Sequence, residues 1–490
     1  MEPAPHGPSL ALTVAQSDGF EREKAQIVAT QLTAFDELAA FCQENKALAE
    51  RDAIYMTLIQ LDPDHKLARK WLRYKKDRKS GEWVQKGYRE PRATKDEEIV
   101  AEITKRRTEL NSKYISSVFA LVEKHAEKLG PKRTTAEYKA IVAIDSNHEG
   151  ARKALGFVAV DKDGERTWLP QSVAVAQKHR TDILTTLSEL RAATPDPEKK
   201  DPLGSDEEGA FGVDFETVLK TPRALVLGTT GESELETITA NAHFQWELLK
   251  KLIKGRGGAP EGFTMYVLSE AADKAKFLSE NDLFRDADRG IVLQLSSAWL
   301  TNYIHVVVWH PNGPTRIDTA CKQVTAYYLS QAYRIQREGW IVEGFGQYMS
   351  HLICGTRLSY SLVDDEYNDP ENAKIDINIG DTEANWFDLA SDILEDAPEK
   401  HLVKVLGKTG AQMTPADFVI SYVMVSYLLE GHGTDTIAEL FKRVGAENGG
   451  VSSTVALEKM MGIPITEIQT NLKTWVDAVG AHDYLSLIHI

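Results

Sequence analysis

Cysteine is nearly absent from the 490-residue chain, which has only Cys42, Cys321 and Cys354. An odd, sparse set makes no disulfide framework, and no C-x-x-C exists to build a cysteine-based structural zinc site. Cys321 and Cys354 stand in apolar helical stretches, where a free thiol behaves as a small hydrophobe. Runs of eighteen apolar residues are also missing, so no membrane-spanning helix is expected. The opening residues Met1-Glu2-Pro3-Ala4-Pro5-His6 carry no basic n-region, and 10–15 is too short for an h-region. No signal peptide is seen in these residues, and the true N-terminus and the compartment both stay open. Positive charge is in deficit as well: 57 Lys and Arg against 73 Asp and Glu give a formal charge of −16. General nucleic-acid binding wants a basic face, so no nucleic-acid partner is expected. No G-x-S-x-G elbow and no dinucleotide fingerprint occur.

What is present suits a globular protein. Hydrophobic residues make up 42% and charged residues 27%, and the length allows two to four domains. Residues 20–193 read as mostly helical and contain a repeat. Leu61-Asp62-Pro63-Asp64-His65 leads into Lys66-Leu67-Ala68-Arg69-Lys70-Trp71-Leu72. Ile144-Asp145-Ser146-Asn147-His148 leads likewise into Glu149-Gly150-Ala151-Arg152-Lys153-Ala154-Leu155. A charged, glycine-containing turn and a tryptophan, Trp83 or Trp168, follow each. Such self-similarity outranks other signals when architecture is assigned. The two units span about 45–90 and 130–172. In each, an Asp-x-x-His turn caps a short helix, which buries Ala68 and Leu72, or Ala151 and Leu155. The turn and helix resemble a tetratricopeptide-like unit, although the period is too long for a regular array. Helical pairs of that kind often bind partners, while the histidines and tryptophans themselves read as caps and core plugs. Between the units, 95–129 has the spacing of a long charged helix. The basic patch at 73–78 lies on a repeat turn with no aromatic series beside it and reads as a solvated face.

A run with three prolines and many charges, beginning Thr194-Pro195-Asp196-Pro197, reads as a linker over 194–215. Residues 216–484 then give a second domain. Its opening strand at 223–227 turns through Gly228-Thr229-Thr230-Gly231 into a helix capped by Ser233 and Glu236. The lysine of a phosphate loop is absent there. Strands at 263–268, 291–295 and 303–309 and a helix at 271–278 follow. Two helices come next, from about Thr315 and over 340–352, and a helical tail closes the domain. Thr414-Pro415-Ala416-Asp417 has the pattern of a helix start: cap, Pro at N1, acid at N3. The acidic loops Asp364-Asp365-Glu366 and 376–381 lack the ligand spacing of an EF-hand. The last six residues, Leu485-Ser486-Leu487-Ile488-His489-Ile490, look like a translated sequencing adaptor and are set aside.

The sharpest motif is Trp340-Ile341-Val342-Glu343-Gly344-Phe345-Gly346-Gln347-Tyr348. W-x-x-E-G followed by a tyrosine resembles the third-ligand helix of the gluzincin-type, peptidase MA-like zinc metallopeptidases. The resemblance covers about 220–480 and implies a zincin-like α+β domain in which Glu343 matches the zinc-binding glutamate. Zinc peptidase chemistry needs two imidazoles at i and i+4, a third ligand, and a glutamate to take the proton of the metal-bound water. The family's H-E-x-x-H should fall near 323, where the chain has Gln323-Val324-Thr325-Ala326-Tyr327. No His, Asp or Glu stands between Thr319 and Ile335, and nowhere are two histidines four residues apart. No catalytic residue is therefore assigned, and the zinc site is expected to be lost. Glu343 is expected to be a buried residue bonded to Tyr327 or Gln323. Trp340, Glu343, Tyr348 and His351 are the cleft candidates.

The fold expected is thus α+β, a mostly helical repeat region followed by a zincin-like domain with a helical tail. The function expected is a non-catalytic metallopeptidase-like module that binds a protein or peptide, with no zinc cofactor. Two alternatives stay open: a hydrolase with a non-standard site around Glu343, and an adaptor whose repeats carry the function while the C-terminal domain is a passive scaffold. The ligand and the oligomeric state stay open too.

Overall fold

The computed structural model describes residues 19–162, 164–253, 262–280, 299–301, 305–360, 384–396, 401–445 and 450–481. The chain divides into two compact units, residues 1–169 and 170–490.

The first unit begins with α1 (Gly19–Glu44) and α2 (Leu48–Leu61). The first repeat module follows as α3 (Lys66–Trp71), β1 (Tyr74–Lys76) and β2 (Trp83–Gln85), the strands paired antiparallel. Then comes α4 (Glu97–Ile144), capped by Asp96, whose side chain accepts from the Ile99 amide. It extends well past the predicted end at 129, but as two arms. Gly130 has φ 71° and Pro131 follows it, and a proline removes an amide donor and crowds the preceding turn. The second module is α5 (Glu149–Ala154), β3 (Phe157–Lys162) and β4 (Glu165–Pro170). Two apolar clusters hold the unit together. Ile103 joins Phe35, Leu38, Ile54, Leu58, Ala68 and Leu72 in one. Phe20, Val118, Leu121, Val122, Ile141 and Ala151 form the other.

The two modules use matching residues in matching roles. The Asp62 carboxylate accepts from the Asp64 amide, and that of Asp145 from the Asn147 amide, both at 3.0 Å. His65 Nδ1 accepts from the Ala68 amide at 3.3 Å and His148 Nδ1 from Ala151 at 3.1 Å, so both imidazoles are N-caps. Arg69 and Arg152 donate from Nε to the carbonyls of Pro63 and Ser146, each at 2.9 Å. Their guanidinium groups lie over Tyr74 and Phe157, at 4.4 and 4.8 Å from the ring centres. The tryptophans differ: Trp168 is buried, whereas Trp83 is half-buried and donates to Asp64.

The second unit begins earlier than the proline-rich run suggested. Helix α6 (Gln171–Ala193) belongs to it, because Arg180 is buried against Glu430. Nor is the run itself a free linker. Residues Glu198–Lys200 form β5, which pairs antiparallel with β6 (Thr217–Lys220). Beyond β5, Leu203 bridges to Phe215, and Ala210, Val213 and Phe215 are fully buried. The apolar anchors outweigh the prolines, which sit ahead of the strand or in the bend after it.

The six-stranded sheet has the order β5-β6-β7-β8-β10-β9, with β7 (Ala224–Gly228), β8 (Phe263–Leu268), β9 (Trp299–Thr301) and β10 (His305–Trp309). The three central strands β7, β8 and β10 run parallel, and the flanking strands are antiparallel. Parallel strands are covered on both faces and read as continuous apolar runs, as Val306-Val307-Val308 does. One face, with Leu227, Tyr266, Leu268 and Val307, packs on Phe215 and on Phe277 of α8 (Ala271–Ser279). On the sheet's other side lie α7 (Glu232–Ile253) and α9 (Gly313–Tyr333). Helix α7 starts at Glu232, so Ser233 is inside the first turn and is not its cap.

After α10 (Gly339–Cys354) the tail continues as α11 (Trp386–Asp396), α12 (His401–Leu406), α13 (Pro415–Ser426), α14 (Thr434–Val444), α15 (Ser453–Met461) and α16 (Ile465–Gly480). Thr414 and Asp417 close a capping box at the start of α13, with Pro415 in its first turn. The α+β class thus holds. The predicted strand at 291–295, the acidic loops after Tyr360 and the adaptor-like end lie outside the described residues.

Candidate functional site

The two helices that carry the motif are buried around nearly their whole circumference, as a helix in the middle of a domain must be. Asn312 caps α9 by accepting from the Thr315 amide. Two glycines of α10 let its neighbours approach. A Cβ on Gly344 would lie 2.5 Å from the Ser421 carbonyl oxygen of α13, and one on Gly346 would lie 2.8 Å from Lys322 Cγ of α9. Any side chain there would force the helices apart.

Polar side chains on buried helices need partners, and those partners define the site. Glu343 is 6% exposed, and Lys322 Nζ lies 2.5 Å from its Oε2. Lys322 comes one residue before Gln323, so the cation beside Glu343 arises from α9 itself. The Lys322 ammonium also reaches the Ser359 carbonyl at 3.4 Å, and Gln347 donates to the same oxygen. One turn before Lys322, the Asp318 carboxylate accepts from the Leu358 amide at 3.0 Å and from Thr356 Oγ1 at 2.9 Å. Burial pushes its carboxyl above the usual range, against the pull of those bonds.

The other candidates do not converge on Glu343. Trp340 donates to Ser453 Oγ at 2.9 Å and is fully buried. Tyr327 packs in an aromatic cluster with Trp246 and Phe263, and burial pushes its phenol up to about 12. Tyr348 donates to Glu430 Oε1 at 2.9 Å, and Arg180 Nη1 reaches the same oxygen at 2.9 Å. Burial, with the Glu430 carboxylate beside it, holds the Tyr348 phenol well above its ordinary value. His351 Nδ1 meets the Tyr422 hydroxyl at 2.7 Å. Glu430 stands in a π-helical turn, Tyr427–Gly431, that continues α13; such turns interrupt helices where a side chain has to be re-aimed.

The residues do not fit the zinc that the motif implies. A zinc site needs two more ligands beside Glu343 and an open position for water. Gln323, Val324 and Tyr327 stand at the expected register, and an ammonium already balances the carboxylate. Among the described residues no three His, Cys, Asp or Glu side chains are grouped to hold a metal ion.

Sequence reasoning missed Lys322, Asp318, Arg180 and Glu430. The available signal was a charge in the middle of an apolar helix, as in Tyr427-Leu428-Leu429-Glu430. Grooves open among the described residues of this unit. One, of about 800 Å³, lies between α6 and the end of α10 and is lined by Leu184, Ser188, Arg191, Leu352, Ile353 and Cys354 among others. The second, of about 380 Å³, is lined by His179, Asp182, Lys251, His432 and Asp435 among others. Neither includes Trp340, Glu343, Tyr348 or His351. No family model matches the chain, and neither a curated protein nor a solved structure matches it.

Proposed function

We infer that the second unit is a zincin-like, peptidase MA-like domain that has exchanged its metal for an internal cation and acts as a protein- or peptide-binding module. The observation that carries this reading is the Lys322–Glu343 pair. An ammonium supplies the positive charge that a zinc ion would supply, but it offers no open coordination position and activates no water. The order of elements, strands and then two packed helices with the glutamate on the second, agrees with the resemblance. The buried cleft candidates leave the groove beside Leu352 and Ser188 as the place for an extended peptide, which its volume of about 800 Å³ accommodates.

Elemental analysis of the purified chain and of Glu343→Ala tests the first half. Less than stoichiometric zinc in both is expected. One zinc per chain that is lost in the variant would overturn the reading in favour of the hydrolase. Peptide display tests the second half: enriched peptides should lose binding to Ser188→Arg, and a library that yields none would overturn it.

A further inference from the structure

The repeat supplies an internal control for surface chemistry. The same fold element occurs twice, so whatever the scaffold requires should be present in both copies. Between Lys66 and Gln85 the first module carries eight Lys and Arg against two Asp and Glu, a formal +6 in a chain of −16. Between Glu149 and Pro170 the second carries four against four. The shared pair Arg69 and Arg152 makes the structural contacts already described. The excess in the first module, Lys66, Arg73, Lys75, Lys76, Arg78 and Lys79, is exposed, and the Lys76 ammonium lies 3.5 Å from the Asp64 carboxylate, itself exposed.

The modules differ in a second, independent way. Leu67, Trp71 and Val84 are 41%, 40% and 38% exposed. Lys66, Leu67, Lys70 and Trp71 share one side of the short helix α3. Lys75 and Val84 face each other across the hairpin. In the second module the positions of Leu67 and Trp71 are Gly150 and Ala154, and Leu169, next to Trp168, is buried. Gly150 packs so closely on Phe119 that a Cβ would lie 2.5 Å from its ring. Ala154 is exposed but small, so the positions of Leu67 and Val84, packed in the second module, are open and apolar beside lysines in the first, and that of Trp71 carries a large aromatic ring in place of a methyl group.

We propose that the first module docks the protein on an anionic phospholipid bilayer. Lysines draw the module to a negatively charged headgroup layer, and apolar side chains between them enter the interface. Tryptophan is favoured at that depth. Two features prefer lipid to nucleic acid. Leu67 and Val84 have no π-face on which a base could stack. The open side of α3 offers lysines, which are point charges, and not the forked guanidinium that grips single phosphates.

Vesicle flotation of the full chain tests the proposal. Binding to phosphatidylcholine vesicles that contain phosphatidylserine is expected, with none to phosphatidylcholine alone and release at high salt. The triple variant Lys66→Gln, Lys70→Gln, Lys75→Gln should bind roughly a hundredfold more weakly. Leu67→Gln and Val84→Gln should each lose about tenfold, and the control Lys153→Gln in the second module should lose nothing. Circular dichroism of each variant should match the natural chain. Equal binding to both vesicle types, or no binding to either, would overturn the proposal. So would tight binding of a single-stranded oligonucleotide that Leu67→Gln leaves unchanged, which would make the surface a nucleic-acid site.

Discussion

The repeat modules of the first unit and the paired helices of the second handle charge in opposite ways. In the modules, guanidinium groups lie on aromatic rings at the surface, and their charge stays in contact with water. In the helix pair, the side chains of Lys322 and Glu343 are 3% and 8% exposed and answer each other directly. Arg180 and Glu430 go further, at 2% and 0%. A surface pair contributes little, because water already solvates both partners. A buried pair is weak evidence of net stability, but breaking it strands a charge in the interior. The charges of the modules can therefore change singly, while those of the buried pairs can change only together.

The largest test of that contrast is Lys322→Met. Leaving Glu343 buried and alone should cost about 3–5 kcal/mol, measured by native-state hydrogen exchange in α9 and α10. The double variant Lys322→Met, Glu343→Leu should recover to within about 1 kcal/mol of the natural chain or surpass it. A single variant costing under about 1 kcal/mol would break the comparison.

The next effect belongs to the caps. His65→Ala and His148→Ala should each cost about 1 kcal/mol, read by exchange at the Ala68 and Ala151 amides, and the two losses should match. Unequal losses would show that the modules share a plan without sharing its energetics.

The smallest effect is on pH. Burial lowers the imidazole pKa of His401, against the raising influence of Asp417. The unfolded state therefore holds the proton more readily than the folded one. The stability from the neutral, buried ring is fully present above the unfolded value of about 6.5 and is lost as pH falls through the lower folded value. Denaturant midpoints on either side of that window should converge in His401→Gln. An unchanged slope in the variant would assign the pH dependence to other groups.

The repeat was legible because its chemistry is local. Asp62, His65 and Ala68 act within one turn of chain, as do Asp145, His148 and Ala151, so spacing alone announces them. The start of α13 at Thr414 was legible for the same reason. The Glu343 helix was visible too, but its ion-pair partner was not, since only the crossing of α9 and α10 brings the Lys322 ammonium to the carboxylate. The proline-rich run misled because prolines are local signals, whereas Phe215 is anchored by a sheet whose strands lie far along the chain. Helix α6 was placed with the repeats by adjacency alone, and nothing near Arg180 in sequence points to Glu430.

That last contact sets an order of events during synthesis. Arg180 and Glu430 are 250 residues apart, and at cellular elongation rates the second is made roughly 10–50 s after the first. The residues of the first unit have all left the ribosome's tunnel long before then and can settle among themselves. Helix α6 can pack early on α7, but its arginine, and the part of its face that meets Tyr427–Gly431, must stay hydrated until the tail arrives. The stretch 171–193 is thus where a nascent-chain chaperone would have the longest opportunity to bind.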